Sequence, residues 1–175
     1  MNIQIRPYGD WSGWTYRLKR LGFNVKKSAI AVQEEIGEKL AKMVKKNLRG
    51  EAALKYNWTP LNEKTKDFKR KHGLDSRILI ATKQYLNSIG VYKYRGKVTV
   101  GIRRSERYEN GATIADVAAI HEVYSTMSDK PYRPLWVPTL YEFFGTKKHT
   151  NQVLRHFVEN LHAKGYPVTF RQMFV

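Results

Sequence analysis

Five histidines are the side chains best suited to holding a metal here, and their spacing speaks against a site. His149 and His156 stand seven residues apart, with His162 six further on. The H-E-x-x-H spacing that turns two imidazoles to one side of a helix is absent, and no carboxylate completes a triad beside them. His121-Glu122 sets a base next to an acid, but neighbours on a helix point about 100° apart and do not readily share one site. The chain has no cysteine, which excludes disulfides, thiolate zinc sites, iron–sulfur clusters and cysteine nucleophiles. No G-x-S-x-G elbow, G-x-x-x-x-G-K-[ST] loop or G-x-G-x-x-G turn is present. Tyr92, Tyr94 and the tryptophans could stack on bases, but no recognition-module signature accompanies them. The sequence therefore predicts no enzyme activity, no cofactor and no metal.

What the sequence does carry is charge. Its 175 residues hold 32 Lys and Arg against 15 Asp and Glu, a net charge of +17. Size scaling predicts a folded surface of about 9,000 Å², so one net positive charge falls on roughly every 500 Å². Such an excess governs solubility and association with polyanions without choosing a fold. The cations are dispersed as Lys26–Lys27, Lys45–Lys46, Lys69–Arg70–Lys71, Arg103–Arg104 and Lys147–Lys148, so none forms a basic tail. Contact with nucleic acid, docking on an acidic protein and simple solvation of lysine-rich helices all fit. With 42% hydrophobic and 13% aromatic residues the chain can bury one ordinary core. No apolar run approaches the ~20 residues of a spanning helix, and the first residues lack a secretory pattern. The expected compartment is the cytosol, or a particle assembled there.

These charges need elements to position them. Residues 1–23 read as an arm or peripheral piece, broken at Pro7 and Gly9, with Trp11 and Trp14 either capping the core or docking on another subunit. From Asn24 to Arg49 apolar residues recur at steps of three and four (Val25, Ala29, Val32, Ile36, Leu40, Met43, Leu48), the mark of an amphipathic helix. Asn24 is its expected cap and Gly50 its expected stop. A short basic helix is predicted over Asn62–Lys71, ending at His72-Gly73, and another over Ser76–Ser88. The period then changes to two: Ile89–Tyr94 and Lys97–Arg103, joined by Arg95-Gly96, predict a hairpin. Val98, Val100 and Ile102 share one face; Lys97, Thr99 and Arg103 share the other. Thr113, with Asp116 three residues on, starts a helix reaching Tyr124, and a final helix spans Lys148–Lys164. The fold class is α+β: one domain over residues 24–165, an N-terminal arm over 1–23 and a C-terminal tail over 166–175.

Trp58-Thr59-Pro60-Leu61, followed by Thr65 and Lys69, resembles the W-x-P-L…T…K opening of the tail-completion and virion-morphogenesis proteins, the neck proteins of tailed phages. Leu79-Ile80-Ala81-Thr82, Leu86 and Ser88-Ile89 follow in order. Val98-Thr99-Val100-Gly101 is similar to that family's V-x-V-G strand. Ile120-His121-Glu122 and Arg133-Pro134-Leu135 are similar to its I-H-E and R-P-F elements, so the resemblance covers residues 25–145. The chain departs from the family at Thr82-Lys83, where the family often has Thr-Gly, and at His121-Glu122-Val123-Tyr124, where it often has His-Glu-Phe-Gly. The resemblance implies a structural virion protein at the head–tail junction, assembled in the host cytoplasm. It implies a homo-oligomeric ring of six or twelve copies that joins the capsid connector to the tail and lets DNA pass. Its partners would be connector or head-completion proteins on one side and tail-terminator or tail proteins on the other, with no membrane. The alternative is a basic protein acting on DNA or RNA.

A ring subunit needs two different faces that close around an axis. Trp11, Trp14, Lys69, Arg70, Lys71, Lys97, Arg103 and Arg133 are the candidate interface residues. Arg133, before Pro134, presents a bidentate donor on an extended segment, for an acidic groove or an internal carboxylate. A channel that DNA must traverse should not grip phosphates tightly. Most lysines are therefore expected to face outward or toward a neighbouring ring, with non-specific DNA contact limited to a minority lining the channel. The polar hairpin face and the Lys69–Arg70–Lys71 cluster are the expected docking points for protein partners.

Overall fold

The computed structural model describes residues 11–122, 131–145 and 147–163. Helix α1 runs over Trp11–Lys46 and passes without a break into a π-helical turn at Asn47–Glu51 and a short helix α2, Ala52–Lys55. Helix α3 is Glu63–Lys71 and α4 is Gln84–Ser88; strands β1, Ile89–Tyr94, and β2, Lys97–Ile102, follow. Helices α5, Ile114–Glu122, α6, Trp136–Gly145, and α7, Lys147–His162, complete the order of a mixed α+β domain. No helix among the described residues is long and apolar enough to cross a membrane.

The predicted start of the first helix is wrong by more than three turns. Asn24 is not a cap, and the boundary drawn at residue 23 falls inside α1. The spacing Trp11–Trp14–Leu18–Leu21–Val25 continues the helical period upstream. A single glycine costs only about 1 kcal/mol against alanine, too little to interrupt it. The other end also differs: Gly50 lies within the π-helical turn, and the left-handed stop is Asn57, at φ 51°. Asparagine tolerates that region better than most side chains. At 36 residues α1 is about 54 Å long. A compact chain of this size is only about 40 Å across, so one end must project. It is the N-terminal end. Among the described residues Ser28 and Val32 are the first of α1 to be buried, whereas Tyr16, Leu18 and Phe23 are exposed.

The hairpin follows its sequence pattern closely. Ile89 pairs with Ile102, Val91 with Val100 and Tyr94 with Lys97 in one antiparallel register. Arg95 and Gly96 both have positive φ, 48° and 75°, the geometry of a tight primed turn. Its apolar face lies on α1, where Gly37 permits the approach. A Cβ added there would stand 3.0 Å from Val91, 3.2 Å from Val98 and 3.3 Å from Val100. The same core gathers Leu40, Val44, Leu48, Ile80, Ile89 and Phe143. Of the expected stripe Val32, Leu40 and Leu48 are buried, Ile36 and Met43 are half-buried and Val25 lies at the surface, 36% exposed.

The helix expected over 76–88 shrinks to Gln84–Ser88. Leu79 and Lys83 both sit at φ 61°, and the Lys69 ammonium takes the carbonyls of Asp75 and Arg77 that a helix would need. Helix α3 begins as expected, with Asn62 Oδ1 accepting from Thr65 N at 2.8 Å, and Gly73 ends it at φ 62°. Helix α6 has no counterpart in the sequence reading. The predicted continuation of α5 to Tyr124, the tail 166–175 and residues 1–10 lie outside the described residues.

Two substitutions test this packing. Leu40→Ala should cost about 2–5 kcal/mol by cavity formation. Gly37→Leu should cost about 1–3 kcal/mol by overpacking the three valines. Denaturant unfolding measures both, and a neutral Gly37→Leu would mean that the hairpin does not seat on α1.

Candidate functional site

Three separate sequence segments meet at one junction. The Trp58 indole N–H donates to the Pro134 carbonyl at 2.8 Å. Arg133 Nε donates to the Thr59 carbonyl at 3.1 Å, with Nη2 3.4 Å from that of Pro60. Arg133 N donates to the His121 carbonyl at 2.9 Å, while His121 Nδ1 lies 3.0 Å from the Pro131 carbonyl. Glu122 then closes the knot. Its carboxylate accepts the backbone N–H groups of Leu135, Trp136 and Val137 at 2.8, 3.0 and 2.7 Å.

That carboxylate is what starts α6. The first N–H groups of a helix have no internal acceptor, and an anion there is favoured by the helix dipole as well. Pro138 is tolerated because it falls in the first turn. A cap supplied from 15 residues away leaves no local signal, which is why α6 escapes a reading of sequence periodicity. At the inner face of α6, Thr139 Oγ1 accepts from Asn47 Nδ2 at 3.0 Å, and Asn47 also donates to the Tyr56 hydroxyl at 2.8 Å. Tyr56 in turn donates to Glu142 at 3.1 Å. Asn47 and Leu48, both buried, open the π-helical turn.

The candidate interface residues divide into two groups. Lys69 and Arg133 do not face a partner: both are buried at 7% exposure. Lys69 Nζ donates to the Asp75 and Arg77 carbonyls at 3.0 and 2.6 Å. Burial pulls both cations below their usual pKa values. Arg133 meets carbonyls, neither the internal carboxylate nor the acidic groove that its sequence context suggests. Arg70, Lys71, Lys97 and Arg103 are exposed; Arg70 pairs with Asp67 on α3. Trp11 and Trp14 fall in the first turns of α1, and their side chains lie outside the described set. The structure thus spreads the accessible candidates over α3 and the hairpin, and brings no two of them together in one pocket.

Two surfaces escaped the sequence reading. Val137, Tyr141 and Phe144 form an exposed apolar stripe on the outer side of α6, with Tyr141 at 77% exposure. The N-terminal turns of α1 place Arg17, Lys19, Arg20, Lys26 and Lys27 beside exposed Leu18 and Phe23. His156 is spent on Glu35, its Nδ1 2.8 Å from the carboxylate, which also pairs with Lys39 at 2.7 Å. Among the described residues no group of three or more His, Asp or Glu gathers closely enough to hold a metal ion. No family model matches this sequence, and no curated protein or solved structure is significantly similar to it.

The Lys69 contacts separate the basic cluster into unlike parts. Lys69→Met should cost about 1–3 kcal/mol, because two carbonyls lose their donor, and Lys69→Glu should cost more. Arg70→Glu and Lys71→Glu, both exposed, should stay within about 0.5 kcal/mol. Equal effects from all three would contradict the burial of Lys69.

Acid should weaken the fold in a defined direction. Arg77 holds the Asp75 carboxyl well below the usual carboxylate range, and Lys39 and Lys55 lower Glu35 and Glu142. A depressed folded-state pKa contributes stability that is present above the ordinary carboxylate range and lost as pH falls through the folded value. Thermal unfolding should therefore show a midpoint that declines below about pH 5, by a modest amount because these pairs are solvent-screened. Asp75→Asn should flatten that decline.

Proposed function

We propose that this chain is a structural virion protein of a tailed phage, a neck or tail-completion subunit that forms a ring of six or twelve copies at the head–tail junction. The observation that carries the reading is the junction itself. Trp58-Thr59-Pro60, His121-Glu122 and Arg133-Pro134, the segments on which the family resemblance rests, are far apart in sequence yet converge on shared hydrogen bonds. Motif residues that fasten one another have a common physical reason for their order and spacing.

A second observation supports it. The resembling family often has glycine where this chain has Lys83, and Lys83 sits at φ 61°, in the left-handed region that favours glycine. The exposed features also suit a subunit completed by neighbours. An arm of α1 projects beyond the packed body, and the apolar stripe on α6 is open to solvent. In this reading the arm and the stripe make the subunit contacts. The mutual fastening of α1, α5 and α6 keeps the body rigid while they do so.

A free nucleic-acid-binding protein is the second reading, favoured by the +17 charge. Location decides between them. In virions of the phage that encodes the chain, the neck reading requires the chain at the head–tail junction, in a copy number of six or twelve, by particle mass measurement and electron microscopy. A chain left in the lysate and missing from purified particles would sink it. Removing residues 1–14 should leave a folded protein, because the buried core among the described residues is built from Ser28 onward, yet one that joins particles poorly. Normal incorporation of the truncated chain would show that this end of the arm makes no contact in assembly.

A further inference from the structure

The outward face of the hairpin is a place where cations collect without counter-charge. Residues 89–105 contain Lys93, Arg95, Lys97, Arg103 and Arg104 and no acid. Alternation sends Val91, Val98 and Val100 onto α1 around Gly37. Tyr92, Tyr94, Lys97, Thr99 and Arg103 go to the other side, along with the facing glycines Gly90 and Gly101. Lys93 lies near α1 and pairs with Glu34 at 2.7 Å.

Two guanidinium groups on this side are held in place. Arg103 lies over the Tyr92 ring, 4.4 Å from its centroid, and Tyr92 is itself pinned by donating to the Ser88 carbonyl at 3.0 Å. Arg95, at the turn, lies 5.1 Å from the Tyr94 centroid. A guanidinium stacked by its face on an aromatic ring keeps its N–H edge outward. That edge binds phosphate oxygens in pairs.

We propose that this hairpin face is a non-specific contact for the phosphate backbone of duplex DNA, made by Arg95, Lys97 and Arg103. Two features favour DNA over a protein partner. Protein interfaces draw their affinity from apolar or aromatic anchors buried at their centre. Here the central ring, Tyr92, already lies beneath Arg103, and the positions around it are Thr99, Lys97, two glycines and Tyr94, whose ring has Arg95 over it. Interfaces with DNA are instead polar and strongly positive. A second copy of the chain would bring the same +17 charge to this face, so its approach is opposed at long range. The inference reassigns Lys97 and Arg103 from protein docking to DNA, and it stands whether or not the chain forms a ring.

The test is a salt titration of binding to a short random-sequence DNA duplex, using the full chain. Binding should be in the micromolar range or weaker near physiological salt, with affinity falling linearly in log–log coordinates. Removing three cations from the face (Arg95→Asn, Lys97→Ala, Arg103→Ala) should reduce the magnitude of the slope by about 2–3, because each neutralised phosphate contributes about 0.9. Asparagine is chosen at 95 because the position has positive φ. A control of equal charge change (Lys42→Ala, Lys64→Ala, Arg155→Ala), taken from exposed positions on α1, α3 and α7, should alter the slope by less than about 1. Lys97→Ala alone, which should not perturb the fold, should lower the slope by about 1. Equal losses from the hairpin and control sets would overturn the proposal, since binding would then follow net charge alone. So would the absence of binding, or displacement of the duplex by polyglutamate at equal charge concentration, which would favour an acidic protein. None of these outcomes bears on whether the chain sits at a head–tail junction.

Discussion

One carboxylate holds the second half of this molecule in place. Glu122, the last residue of α5, accepts three successive backbone N–H groups at the start of α6. Once α6 starts there, Thr139 and Phe143 point inward and meet the end of α1. Arg133 and Trp58 then tie the same corner to the segment before α3. Removing the anion would expose orphan donors in a half-buried corner, a cost that neutral side chains could offset only in part.

The second constraint is an absence of atoms. Gly37 brings the backbone of α1 against three valines of the hairpin, so a two-stranded ribbon, marginal by itself, gains a packed face. The two constraints act on different stretches of α1. The hairpin rests on its middle, near Gly37, while α6 is fastened at its C-terminal end through Asn47. The N-terminal turns carry the exposed Tyr16, Leu18 and Phe23.

Much of this was legible in the sequence, wherever the determinant is local. Strict alternation and the Arg95-Gly96 turn define the hairpin, and Asn62 and Gly73 bracket α3 as their chemistry requires. The core half of α1 follows its stripe. Other features depend on groups distant in the chain. Lys69 reads as one of three adjacent surface cations, and only the carbonyls of Asp75 and Arg77 make it an internal fastener. The same contact cancels the helix that the apolar spacing over 76–83 suggests. Arg133 is placed by the carbonyls of Thr59 and Pro60, and α6 by Glu122. The exposed candidates fared as surface charge does: their accessibility could be read, and their grouping could not.

The outer stripe of α6 bears on how the protein behaves in a tube. Val137, Tyr141 and Phe144 would draw copies together through apolar contact, and the +17 charge holds them apart. That repulsion reaches about 8–10 Å in ordinary buffer and only about 3 Å in molar salt, whereas apolar attraction is not screened. Its colloidal stability should therefore run opposite to that of a protein kept soluble by hydration alone. Dilute buffer should disperse it, and concentrated salt, often added to strip nucleic acid from basic proteins, should favour contact between α6 faces.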